Sequence, residues 1–182
     1  MFHEISNDHV NVRFDRTIEP CLKANSGDYI LFHTLDAHNR TINIERVFAD
    51  VSFPELDETN GNPSTGPAYI EGAEPGDTLK VSILEIIPEE IGELPVRGYM
   101  GILRNVVPER TARVVRYKDD RIWISDTVSV PARPMIGTIG VAPEGEGIST
   151  GPAGTHGGNM DDNLITTGAE VFFPVFTKIE HC

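Results

Sequence analysis

Turn-forming residues punctuate this chain from end to end. Seventeen glycines and 13 prolines are spread over 182 residues, and only short apolar runs lie between them. Proline removes a backbone donor and glycine weakens a helix by about 1 kcal/mol, so long helices have no room to propagate. Short apolar runs bounded by turn formers are what strands require. The expected fold class is therefore mainly β, with long loops and little helix. The length suits a single domain spanning residues 1–182, built as one body or in two halves, and is enough to bury a core.

Charge narrows the partners. The formal net charge is −13. Nucleic acid needs a basic face to meet phosphate, and anionic membranes need the same, so neither is an expected partner. A small neutral or cationic ligand is compatible with that charge, although solubility alone also accounts for it. Cys21 and Cys182 set no disulfide framework. No basic and apolar leader opens the chain, and the apolar runs at 135–142 and 171–176 are too short to span a bilayer. The expected compartment is the cytoplasm.

Along the chain, Val10, Val12 and Phe14 suggest an opening strand. Further strands are expected over 29–35, 40–48 and 78–87, the last with Leu79, Val81 and Ile83 on one face. Residues 49–68 read as a long irregular loop and 88–109 as a proline-rich, poorly periodic stretch. A short helix is allowed at 49–58 or 98–106. Segments 110–117 and 121–125 flank Lys118-Asp119-Asp120 as a hairpin. Strand candidates at 135–141 and 170–177 follow. Ser-Thr-Gly-Pro-Ala occurs at 64–68 and again at 149–153. Either the two copies build matching turns that face one another, or a good turn sequence has simply recurred.

The stretch from Gly151 to Asp161 carries the densest chemistry. It sets His156, Asn159 and Asp161 within six residues, among glycines that let backbone close around something small. Histidine can ligate a metal or move a proton, and asparagine can hold an amide through both its donor and its acceptor. An active-site loop is the expectation here. The bland alternatives are a loop histidine bound to backbone groups and a turn or capping role for Asp161 beside Asp162.

Four motifs resemble the acetamidase/formamidase family: Asn62-Pro-Ser-Thr-Gly-Pro67, Tyr69-Ile-Glu-Gly-Ala-Glu-Pro-Gly-Asp77, Met135-Ile-Gly-Thr-Ile-Gly-Val-Ala-Pro143 and His156-Gly-Gly-Asn-Met-Asp161. They stand in the family's order, and the likeness runs from about residue 4 to residue 176. The resemblance implies a β-sandwich or barrel-like fold, a homo-oligomer, and hydrolysis of short aliphatic amides to carboxylate and ammonia. It also implies a site where metal-capable residues gather. Asp36 matches the acidic residue that closes an early strand, and His156, Asn159 and Asp161 match the glycine-rich site loop. The chain departs from the pattern after Phe176, without the family's later Gly-Asp-x-His and Gly-Asp-Gly-Glu motifs. It is therefore expected to be C-terminally incomplete relative to the family. It would be either an active amidase of reduced length or a catalytically inactive module that binds a small ligand or a partner.

Amide hydrolysis needs an activated water, a stabilised oxyanion and a proton for the leaving ammonia. A divalent metal, with zinc the first candidate, could supply the first two, and such sites use three protein ligands with one position open. Asp36, His156 and Asp161 are the expected ligands, with His38 in reserve two residues along the strand; an exposed turn position is the alternative for His38. His156, Asp161 and Glu71 are the expected catalytic residues, Glu71 as a proton shuttle where a solvated loop is the alternative. Asn159, Ser64 and Thr65 are expected to bind substrate. Cys21 lacks a nucleophile signature, and no Gly-x-Ser-x-Gly elbow or phosphate-cradling loop is present.

Overall fold

The computed structural model describes residues 1–37, 62–96, 101–102, 105–106 and 111–178. His38, the strand expected at 40–48 and the helix allowed at 49–58 lie outside them. Among the described residues every regular element is a strand, and none of 101, 102, 105 and 106 is helical. The mainly β expectation holds. The chain divides into two compact units, Met1–Arg40 with Asp57–Glu85 and Met135–Cys182, and Thr41–Leu56 with Ile86–Pro134.

The first unit is built from strand pairs. β1 (Phe2–Ile5) runs parallel to β5 (Tyr29–Phe32). β4 (Leu22–Ala24) runs parallel to β7 (Ala68–Ile70). β8 (Thr78–Ser82) pairs antiparallel with β16 (Glu170–Pro174), in the register Leu79↔Phe173 and Val81↔Val171. The period-2 pattern read from the sequence is what folds here. Leu79 and Val81 face inward with the buried Ile83 and Phe173, while Lys80 and Glu170 form an exposed ion pair at 2.8 Å. Among the described residues Ile5, Ala24, Ile83, Ile165 and Phe173 form the buried hydrophobic core of this unit.

The opening segment is not one strand. It bends at Val12 into β2 (Val10–Asn11) and β3 (Arg13–Phe14). β2 pairs with β6 (Ser64–Thr65), and β3 pairs with β14 (Ile148–Ser149). The two Ser-Thr-Gly-Pro-Ala copies thus dock in succession along residues 10–14. Thr150, wholly buried, anchors the second copy: its N–H donates to the Val12 carbonyl at 3.0 Å. Its hydroxyl lies 2.5 Å from the Asn62 carbonyl oxygen, which ties the two copies together. The loop read over 49–68 therefore needs correcting at its end, since 64–65 and 68 are in strands. Pairing partners 46 or more residues away made them so.

The second unit carries an antiparallel sheet, in order β12-β11-β10-β9. Its strands are β9 (Ile91–Val96), β10 (Thr111–Lys118), β11 (Arg121–Trp123) and β12 (Ser129–Pro131). The expected hairpin is present, with Lys118 opposite Arg121 across a two-residue turn. Asp119 and Asp120 both take positive φ, 54° and 55°, the backbone of a type I′ turn. β9 corrects the reading of 88–109 as irregular. Gly92 and Pro95 blur its period, and the sheet tolerates them because β9 is an edge strand among the described residues.

Candidate functional site

The site is built on two further strands of the first unit. β13 (Thr138–Gly140) pairs antiparallel with β15 (Gly157–Asn159), with Thr138 opposite Asn159 and Gly140 opposite Gly157. The glycine-rich loop is thus partly a strand. Its glycines carry no side chains, so no hydrophobic period could announce it.

Gly157 shows why these positions are glycine. Its φ is +98°, and a Cβ there would lie 2.7 Å from Gly140 Cα and 2.9 Å from the Phe173 ring. The strands therefore pass closer together than side chains allow. Before it, Gly154 and Gly157 exchange both backbone hydrogen bonds, at 2.8 and 3.0 Å, closing a tight tip that holds Thr155 and His156. This tip turns His156 inward.

His156 is 3% exposed, and its ring meets Phe14 edge-on with centroids 5.4 Å apart. Burial pushes its pKa below the usual histidine value, because the charged form loses its hydration. Nε2 is buried and has no hydrogen-bond partner among the described residues. Buried polar atoms are nearly always satisfied, so this nitrogen is a candidate position for a ligand atom. The neutral imidazole is the form that can accept a proton or ligate a metal.

At the other end of β15, Asn159 and Asp161 come together. Asn159 Nδ2 donates to Asp161 Oδ2 at 3.1 Å, and Thr138 Oγ1 donates to Asn159 Oδ1 at 2.9 Å. Asp161 sits in the left-handed region with φ 47°, which aspartate tolerates better than most residues. Its N–H and that of Met160 both donate to the Gly137 carbonyl, at 3.1 and 2.9 Å. The strained residue is held from both sides.

The remaining candidates lie elsewhere in the unit. Asp36 is exposed after β5. Thr65 has committed its hydroxyl to the His33 carbonyl at 2.9 Å, and Ser64 stands opposite Asn11 in the β2–β6 pair. Glu71 is an exposed turn residue whose N–H donates to the Ala24 carbonyl at 2.8 Å. His156 precedes Asn159 by three positions, roughly 10 Å of extended chain. Among the described residues no group of three or more His, Cys, Asp or Glu side chains is placed to hold a metal ion. The described donors therefore do not complete the expected Asp36, His156 and Asp161 set. Cys21 is half-buried, donates to the Pro67 carbonyl at 3.2 Å, and has its thiol pushed up by burial, which disfavours the nucleophilic thiolate.

Thr138, the side chain of Asn62, Thr150 and Phe14 were not singled out as site residues. Thr138 and Asn62 do lie within motifs visible in the sequence. Their hydrogen bonds to one another and to Asn159 come from the strand register, which local pattern does not encode.

The Acetamidase/Formamidase family model matches residues 3–149, and the chain belongs to that family. The crystal structure of a predicted acetamidase/formamidase from Thermoanaerobacter tengcongensis is similar at 38% identity and TM-score 0.87, covering 98% of this chain and 58% of that one. An acetamidase from Bacillus halodurans is similar at 34% identity and TM-score 0.87, covering 94% and 57%. A gamma lactamase from Delftia acidovorans shares the fold at 21% identity and TM-score 0.79, covering 93% and 55%. The chain thus spans less than two thirds of these proteins' length. A search of the curated proteins found no match. Among the described residues no helix is long and apolar enough to cross a membrane.

Proposed function

We propose that this chain serves an amidase acting on linear carbon–nitrogen bonds, hydrolysing short aliphatic amides such as formamide and acetamide to carboxylate and ammonia. The observation that carries the reading is the Asn159–Asp161 pair, hydrogen-bonded at 3.1 Å at one end of β15, with the buried His156 just before the strand's other end. Asn159 has one N–H left after donating to Asp161, suited to a substrate carbonyl oxygen. The carboxylate beside it suits an amide NH2. One residue pair thereby matches both halves of a primary amide, and Ser64 and Thr65 on β6 are the further proposed substrate-binding residues. With no metal on Nε2, neutral His156 can take a proton from attacking water and return it to the leaving nitrogen; with a metal bound there, it serves as a ligand instead. Glu71 keeps its proposed role as a proton shuttle.

A divalent metal, zinc first among candidates, belongs to the same reading. When bound it would lower the pKa of water and polarise the carbonyl. Among the described donors His156, with its orphan Nε2, is the one prepared to hold it. Asp36, Asp161 and His38 are the other proposed ligands, and a complete set needs donors beyond the described residues. A cytoplasmic homo-oligomer completes the proposal.

Ammonia release from formamide and acetamide by the purified chain, with added zinc and with chelator, tests this reading. Metal-dependent release that disappears in His156→Ala is the expected result. Release unchanged in that variant would remove His156 from the chemistry. No release from a folded sample would favour a small-ligand-binding module over an enzyme.

A further inference from the structure

Asn62 Nδ2 donates to Thr138 Oγ1 at 3.3 Å, and Thr138 Oγ1 donates to Asn159 Oδ1 at 2.9 Å. Asn159 Nδ2 then donates to Asp161 Oδ2 at 3.1 Å. These four side chains come from three separate motifs, and their hydrogen bonds all run in one direction. We propose that Thr138 and Asn62 are positioning residues that lock the Asn159 amide in one flip state and so set the geometry of the Asn159–Asp161 pair. The consequence for catalysis rests on the amide-hydrolase reading; the geometry does not.

The direction follows from donor and acceptor inventory. A threonine hydroxyl has one proton to give. The Asn62 N–H occupies an acceptor position on Thr138 Oγ1, so the Thr138 proton turns toward Asn159 Oδ1. With its oxygen held there, Asn159 must point its NH2 at Asp161. The flipped amide would instead set its carbonyl oxygen against a carboxylate oxygen, two acceptors with no proton between them. Without Thr138 the choice between flips rests on Asp161 alone, and Asp161 is exposed to competing water.

The start of the chain is anchored in the core. The hydroxyl of Thr150, wholly buried, lies 2.5 Å from the Asn62 carbonyl oxygen, which holds the Asn62 backbone in place. Asn62→Ala therefore removes the donor to Thr138 and leaves that anchor intact. The end of the chain is held by the two N–H donations to the Gly137 carbonyl.

The test combines a spectroscopic readout with turnover. The 15N relaxation of the Asn159 side-chain amide, identified by its loss in Asn159→Ala, is measured in the parent, Thr138→Val, Thr138→Ser and Asn62→Ala chains. Acetamide kinetics and thermal unfolding are recorded on the same samples. The expected result is an ordered amide in the parent and in Thr138→Ser, and a mobile one in Thr138→Val and Asn62→Ala. In step with it, kcat/KM should fall about 10- to 100-fold in Thr138→Val and recover in Thr138→Ser, the scale typical of groups that orient functional residues. An Asn159 amide as ordered in Thr138→Val and Asn62→Ala as in the parent would overturn the proposal. So would a mobile amide with unchanged kcat/KM in an active parent. A parent that releases no ammonia would defeat the amide-hydrolase reading, and the relaxation data would still decide whether Thr138 and Asn62 position Asn159.

Discussion

His156 concentrates the residue-scale physics of this protein. Its folded pKa is depressed by burial, so the unfolded chain binds a proton first as pH falls. Stability from this residue is fully present above the ordinary histidine value of 6.5 and is lost as pH drops through the lower folded value. Urea unfolding of the parent at pH 7.5 and below 6 should show that loss, and His156→Gln should flatten it. The surrounding glycines give a second prediction. Gly157→Ala must adopt φ +98° and press a methyl group onto Gly140 and Phe173, so a loss of about 2–4 kcal/mol is expected. Gly27→Ala meets the same backbone demand at φ +88° with open space around it, and should cost only about 1–2 kcal/mol. Denaturant midpoints of the two variants compare a clash with conformational strain alone. Sequence reading reached His156, Asn159 and Asp161 through residue type and glycine context. It did not reach Phe14 or Thr138, because neither carries a chemical signature of its own.

At the scale of elements, legibility tracked local pattern. The β8 face of Leu79 and Val81 obeys a two-residue period, and the Asp119-Asp120 turn sits between two apolar runs; both were readable. β9 and β15 were not, since Pro95 and Gly92 interrupt the first and glycine makes up most of the second. Their strand character comes from partners supplied by distant chain. The turn itself offers a test. Both central residues have positive φ, a state that asparagine and glycine reach at lower cost than aspartate. Asp119→Asn with Asp120→Gly should stabilise the sheet by about 0.5–1 kcal/mol, less a small loss from the exposed Tyr117–Asp120 hydrogen bond. Thermal unfolding that showed a lower midpoint in the double variant would contradict the turn assignment.

The whole molecule is unevenly charged. The first unit holds 18 Asp and Glu against six Lys and Arg, and the second holds ten against nine. The excess negative charge therefore belongs to the unit that carries the candidate site, which suits neutral substrates and opposes anionic ones. Large apolar side chains also stand in solvent. Phe2 is 67% exposed and Tyr29 55%, side by side in the β1–β5 register, and Phe172 is 59% exposed on β16. Aromatic surface of this kind is commonly covered by association. Sedimentation velocity of the purified chain should give a mass above that of a monomer, and Tyr29→Ser with Phe2→Ser should lower it. A concentration-independent monomer in the parent would remove the homo-oligomer from the proposal.

Turn-former spacing by itself determined a mainly β chain, because frequent proline and glycine exclude long helices whatever the chain packs against. Residue chemistry and motif order also pointed to the family and to the loop that holds His156, Asn159 and Asp161. Only the tertiary structure decided which of these groups meet. Pairing of β13 with β15 sets Thr138 beside Asn159, buries His156 against Phe14, and leaves Asp36 outside any three-donor group among the described residues. The physical reason is register. A one-residue slip between paired strands turns every side chain to the opposite face, and that register is set by contacts between residues far apart in the chain.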